Sequence, residues 1–191
     1  MSEPNDATAT PAPAAEPPKA NLVMDHFVSL TYTEQLTPNL QRYAEHLLEG
    51  RLVGHKSPSG MVFLPGKGYD PITLDITTDA DEVEVSDTGT LTGYTIVTPV
   101  QYYGQKETQP FVVASILLDG ASNAVGGQDV VGIPHSELRA GLRVKAVWRP
   151  EGERTVDALT NRGWGGFEGV IDAFEPTGEP DAPLEKIREH L

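Results

Sequence analysis

Five histidines, 28 carboxylates and no cysteine bound the chemistry open to this 191-residue chain. His26, His46, His55, His135 and His190 are scattered, with no i, i+4 pair and no carboxylate at ligand spacing, so zinc and non-haem iron sites are not expected. His46 is expected on the exposed face of a helix; His55, beside a turn, is the one histidine placed to merit testing. The absence of cysteine excludes disulfides, iron–sulfur clusters, thiolate zinc sites and a cysteine nucleophile together. The acidic stretch "DITTDADEVEVSD" holds Asp75, Asp79, Asp81, Glu82, Glu84 and Asp87, but lacks the calcium-loop spacing with its central glycine. It reads as a solvated linker and strand face, or as a surface for a basic partner. "GMVFLPGKG" fails as a phosphate loop: the spacing is one residue too long, and Gly68 stands where Ser or Thr must bind magnesium. There is no Gly-x-Ser-x-Gly elbow. No catalytic residue is expected.

Residues 49–75, "EGRLVGHKSPSGMVFLPGKGYDPITLD", carry a different signal. Two apolar pieces, Leu52–Val53 and Val62–Leu64, are each followed by a tight Pro/Gly turn. In a zinc ribbon such turns present cysteine pairs to one tetrahedral ion; here the turns stand without thiols. Two loops carry aromatic rings. "TPVQYYGQKETQP" bears Tyr102 and Tyr103, and "TNRGWGGFEG" sets Trp164 and Phe167 among glycines. Such rings either anchor an interface or plug the ends of a barrel.

The elements that must position these residues are mostly strands. "TPNLQRYAEHLLEG" is the clear helix: Thr37 caps it, Pro38 opens it and Gly50 stops it. Leu40, Tyr43, Ala44, Leu47 and Leu48 form its apolar stripe, while Arg42, Glu45 and Glu49 face away. Residues 82–99 read as one long strand with Gly89 and Gly93 placed for a bulge. Residues 110–120 read as a strand buried on both faces, and 142–149 alternate, with Leu142, Val144, Ala146 and Trp148 inward. A weaker strand lies near "SNAVGGQDVVGI", a short helical turn follows Pro134, and 166–176 form the last strand. This is a mainly β chain, a small Greek-key barrel, with no repeat. An OB-fold and other small barrels both fit the pattern.

The formal net charge of −14 opposes nucleic acid and anionic membranes. No apolar run reaches transmembrane length. The N-terminus lacks a secretory signal, and the cysteine-free composition fits the cytoplasm. The expected domains are a disordered Ala/Pro-rich tail (1–25), a helix plus ribbon-like hairpin (26–74), a five-stranded OB-fold (75–180) and a short C-terminal helix or tail (181–191).

In order and spacing, "LLEGRLVGHKSPSG", "MVFLPGKGYDP", "DTGTLTGYTIVTP", "PFVVASILLDGASNAVGG" and "GLRVKAVW" resemble one family over residues 36–176. It is the zinc-ribbon plus OB-fold family of thiolase-associated proteins, long catalogued as a domain of unknown function. The resemblance implies a rubredoxin-like ribbon in which Ser57 takes the first cysteine position, the second is deleted before Gly60, and Asp70 and Thr73 take the third and fourth. The ribbon's shape is then expected without its ion. Leu52, Val62, Phe63 and Leu64 would hold the hairpin by packing on the helix or, as the favoured expectation, on a partner protein. The resemblance further implies a non-catalytic subunit, without cofactor, of a thiolase-fold enzyme acting on steroid or fatty acyl-CoA, with acyl-CoA at the shared interface as a further option. Phe63, Tyr102, Tyr103, Trp164 and Phe167 are the expected partner contacts, exposed when the chain is alone. The competing readings are a nucleic-acid-binding OB module and a free-standing acyl-CoA or lipid carrier.

Overall fold

The computed structural model describes residues 22–24, 30, 35–99, 108–160 and 169–188. The chain divides into two units, Met1–Tyr32 and Thr33–Leu191. In the first, the described residues have no regular structure, and Leu22, Val23, Met24 and Leu30 are exposed.

The second unit opens with helix α1, Pro38–Leu48. Thr37 is extended and its hydroxyl accepts from the Leu40 N–H at 3.4 Å, as an N-cap should. After Glu49, Gly50 adopts φ 79°, and the N–H groups of Gly50 and Arg51 return to the Leu47 and His46 carbonyls. That left-handed turn sends the chain directly into β1 (Leu52–Lys56). β1 is the centre of a small antiparallel sheet, between β2 (Val62–Phe63) and β3 (Glu82–Val85).

The larger sheet contains β4 (Thr88–Val97), β5 (Phe111–Leu118), β6 (Val125–Gln128), β7 (Arg143–Trp148) and β8 (Ile171–Pro176), in the order β6-β5-β4-β7-β8. Its two ends meet. Val130 and Phe174 form a parallel bridge, in which the Val131 N–H donates to the Phe174 carbonyl and the Phe174 N–H to that of Asp129. Antiparallel pairing throughout, with one parallel closure, makes this the five-stranded barrel of an OB-fold. Two short α-helices, α2 (Val156–Thr160) and α3 (Leu184–Arg188), lie before and after β8. The turn expected after Pro134 is a 3₁₀ turn over His135–Glu137.

Two expectations are corrected. Residues 82–99 are two strands, not one: β3 pairs with β1 and β4 with β5 and β7. The Ser86 hydroxyl accepts from the Thr88 N–H at 3.1 Å, turning the chain from one sheet into the other. Residues 111–115 of β5 alternate between part-exposed and buried, and only Ile116–Leu118 are buried on both faces. The bulge lies between Leu91 and Gly93 as the glycines implied. Gly89 answers a different need: a Cβ there would stand 2.6 Å from the Leu117 carbonyl oxygen of the neighbouring strand.

One apolar cluster runs through both sheets of this unit. Leu91, Ile116, Val144 and Phe174 fill the barrel, and Tyr43, Ala44 and Leu47 of α1 join Leu52, Leu64 and Val85 of the small sheet. Leu142, Val144 and Ala146 point inward as the alternation required, whereas Trp148 is half-buried. The Trp148 indole donates to Asp87 at 3.3 Å, and the Arg154 guanidinium lies over its ring.

Candidate functional site

The small sheet and its two turns hold most of the residues singled out from the sequence. The first turn, after β1, closes through Ser57, whose N–H donates to Met61 and whose carbonyl accepts from Gly60. The second is a hairpin over 68–77: Tyr69 and Ile76 pair, the Asp70 N–H donates to the Asp75 carbonyl, and the Thr77 N–H to that of Gly68.

Asp70 joins the two turns. It has no exposed surface. One carboxylate oxygen accepts from the N–H groups of Ile72 (2.7 Å) and Thr73 (3.2 Å), and the other from the N–H of Ser59 (3.2 Å). Hydrogen bonding from Ser59 above all, then from Ile72, Ser57 and Thr73, holds its carboxyl well below the usual carboxylate range, although burial opposes the shift. Ser57 and Ser59 share a hydroxyl–hydroxyl bond of 2.8 Å. Ser57, Ser59 and Thr73, at or beside expected cysteine positions, thus meet around the carboxylate of Asp70, which stands at the third.

This arrangement does not fit a zinc ion. Both Asp70 oxygens are engaged by N–H donors that belong to an anion site, and the Thr73 hydroxyl donates to Asp75 instead. Among the described residues, no group of three or more His, Asp or Glu side chains is placed to hold a metal. His55 is buried, with Nδ1 3.3 Å from the Thr77 hydroxyl and its ring against Gly66, where a Cβ would stand 2.5 Å from the imidazole. Its surroundings are those of a packed side chain.

The hairpin has supports within the chain itself, where a partner protein was the favoured expectation and the helix the alternative. The loop between β5 and β6 lies along β2 and replaces a missing strand. The Ser122 hydroxyl accepts from the Val62 N–H (3.0 Å), and the Ser122 N–H donates to the Val62 carbonyl (2.8 Å). The Asn123 side chain accepts from the Leu64 N–H (2.8 Å) and donates to the Leu64 carbonyl (2.7 Å). Leu52 and Leu64 meanwhile join the core cluster that contains the α1 residues.

His46 is also corrected: it is buried on α1, not exposed. Its Nε2 faces Glu82 at 3.2 Å and its Nδ1 faces Arg51 at 2.9 Å. Arg42, expected to point away, forms a two-pronged pair with Glu82. Bonding from Arg42, followed by His46, lowers the Glu82 carboxyl from its ordinary value. The approach of β3 to α1 brings these charges together, and no helical periodicity could report it.

Phe63 is 7% exposed, so the expectation of an exposed ring is corrected; its place in β2, opposite His55, turns it inward. Tyr102, Tyr103, Trp164 and Phe167 lie outside the described residues. Exposed apolar side chains stand instead on the second hairpin, at Tyr69, Ile72, Leu74 and Ile76. Sequence reasoning missed them, although "YDPITLDI" sets three large aliphatics at alternate positions of one short turn. The clasp of Asp70 left a signal too: Asp followed by Pro and, two residues later, Thr is the pattern of a side chain capping its own turn.

Four basic residues of the barrel lie against carboxylates. Arg143 holds Asp119 and Glu179, Arg139 holds Asp181, Arg149 holds Asp172, and Lys145 lies 3.9 Å from Asp87.

The class of protein is therefore a helix and small clasped sheet leading into an OB-fold barrel. Residues 82–149 match the family model of the ChsH2 C-terminal OB-fold domain. The fold is similar to a chain of the Ltp2-ChsH2(DUF35) aldolase, at 18% identity and a TM-score of 0.52, covering 75% of this chain and 98% of that one. It is also similar to a DUF35-family protein of unknown function from Sulfolobus solfataricus, at 21% identity and a TM-score of 0.47, covering 58% of this chain and 78% of that one. A search of curated proteins finds no match.

Proposed function

We propose that this chain is a non-catalytic companion subunit that binds and stabilises a thiolase-fold, lipid-transfer-type acyl-CoA enzyme. The enzyme's chemistry would be thiolysis or retro-aldol cleavage of steroid or fatty acyl side chains. The observation that carries this reading is the match of residues 82–149 to the ChsH2 C-terminal OB-fold domain. The likeness of fold to a chain of the Ltp2-ChsH2(DUF35) aldolase agrees with it. The hairpin is read as a ribbon that has exchanged its ion for the Asp70 carboxylate, and Tyr102, Tyr103, Trp164 and Phe167 remain proposed partner contacts. Phe63 is proposed as a contact only through the hairpin it supports.

The nucleic-acid reading is weakened by the pairing of Arg139, Arg143, Lys145 and Arg149 with carboxylates, since a phosphate backbone needs free cations along a groove. The test is co-expression with a lipid-transfer-type thiolase of the same organism. The two chains are expected to co-elute in gel filtration, and acyl-CoA turnover to require the thiolase. Turnover by this chain alone, or separate elution, would overturn the reading.

A further inference from the structure

We infer that the hairpin over 68–77 is a preformed docking knob, and that its occupant is an apolar cleft rimmed by Lys and Arg on the partner enzyme. The inference rests on the companion-subunit reading and names the surface and the partner's chemistry.

Ile72, Leu74 and Ile76 are 66%, 72% and 75% exposed, and Tyr69, paired with Ile76, is 44% exposed. Single exposed aliphatics are ordinary; a cluster of this kind on one short turn is not, and marks a contact surface. The turn is also held in one shape. Asp70 fastens Ile72, Thr73 and Ser59, and its carbonyl accepts from the Leu74 N–H at 2.8 Å. Leu74 has φ 64°, a left-handed conformation that a branched side chain rarely adopts. The consequence is an outward Leu on a stiff turn. Strain of that kind gathers at functional sites, and a surface already in its bound shape loses little freedom on association.

Charge selects the occupant. From Gly68 to Gln105 the sequence has no Lys, Arg or His; Asp75 is exposed on the hairpin itself, and Asp79, just beyond it, is exposed 3.7 Å from Arg42. A second copy would set these carboxylates against each other, and an anionic lipid surface would repel them. A cleft with an apolar floor and a basic rim complements both features.

The test uses the full chain and the co-expressed thiolase. The pair Ile72→Thr and Leu74→Asn removes the apolar surface, and Asn tolerates the left-handed backbone. Val156→Thr, at an exposed aliphatic on α2, is the control. Expected are at least tenfold weaker binding by the double variant, an unchanged melting temperature, no effect of the control, and weaker wild-type binding as salt rises. Wild-type affinity in the double variant overturns the knob and leaves the companion reading standing. No binding by the wild type to the thiolase overturns both. A wild-type dimer that the double variant abolishes assigns the surface to a second copy and overturns the proposed occupant.

Discussion

The barrel and the small clasped sheet are built from one chain by different means. In the barrel, strands of up to ten residues pair in long registers around Leu91, Ile116, Val144 and Phe174, each 0–1% exposed. In the small sheet the outer strand β2 has two residues, and several of the buried side chains are polar: His55, Ser57, Asp70 and Thr77. A hairpin this short cannot hold itself by burial. It is held by hydrogen bonds to one carboxylate and by a loop lent from the barrel. The barrel's shape follows from apolar area, whereas the small sheet, although Leu52, Leu64 and Val85 join the same core, depends in addition on particular polar atoms. Conservative apolar exchange should therefore be tolerated in the first, and isosteric polar exchange should fail in the second.

The largest expected effect is in the barrel. Phe174→Ala, at the point where the barrel closes, should cost about 3–5 kcal/mol of unfolding free energy in a denaturant titration. A loss below ~1 kcal/mol would show that closure does not depend on this ring.

Asp70→Asn should open the small sheet with little effect on the barrel. Three N–H donors lose their anion, and the new amide presents donors of its own. Hydrogen exchange should accelerate across residues 57–77 and stay slow in β4 and β5. The pH dependence has a definite sign. The Asp70 carboxyl is lowered on folding, so its contribution is present above the ordinary carboxylate value and lost as pH falls toward the folded value. The stability gap between wild type and Asp70→Asn should be constant near neutrality and narrow in acid. A gap that widens in acid would refute the clasp.

Asn123→Ala removes both side-chain bonds to Leu64 and leaves a buried N–H and carbonyl without them. A loss of about 1–3 kcal/mol is expected, read again as faster exchange in β2. No change would mean that the loop merely lies beside the small sheet.

The smallest effect expected is none. Prolonged chelation should leave the melting temperature unchanged, because a fold held by carboxylate hydrogen bonds has no metal-linked stability to lose. Stoichiometric zinc in chelator-free protein would break the comparison at its root.

Much of this molecule was legible in the chain. Thr37, Pro38 and Gly50 bound the helix, because caps act through backbone groups within a few residues. Leu142, Val144 and Ala146 announced the inner face of β7, because strand alternation is a local property. The absence of cysteine excluded thiolate ligands from the turns. What the chain did not disclose depends on groups far apart in sequence. His46 is buried, with Glu82 and Arg51 at its two ring nitrogens. Residues 82–99 look continuous, yet they serve two sheets because β1 captures the first four. Ser122 and Asn123 open the stretch read as a weaker strand, yet they form a loop whose polar groups bond to β2. Asp70 reads as the stand-in for a cysteine until two turns close over its carboxylate. Local backbone preference and periodicity are written in neighbouring residues; which polar group becomes buried, and by whose N–H it is satisfied, is decided only when distant segments meet.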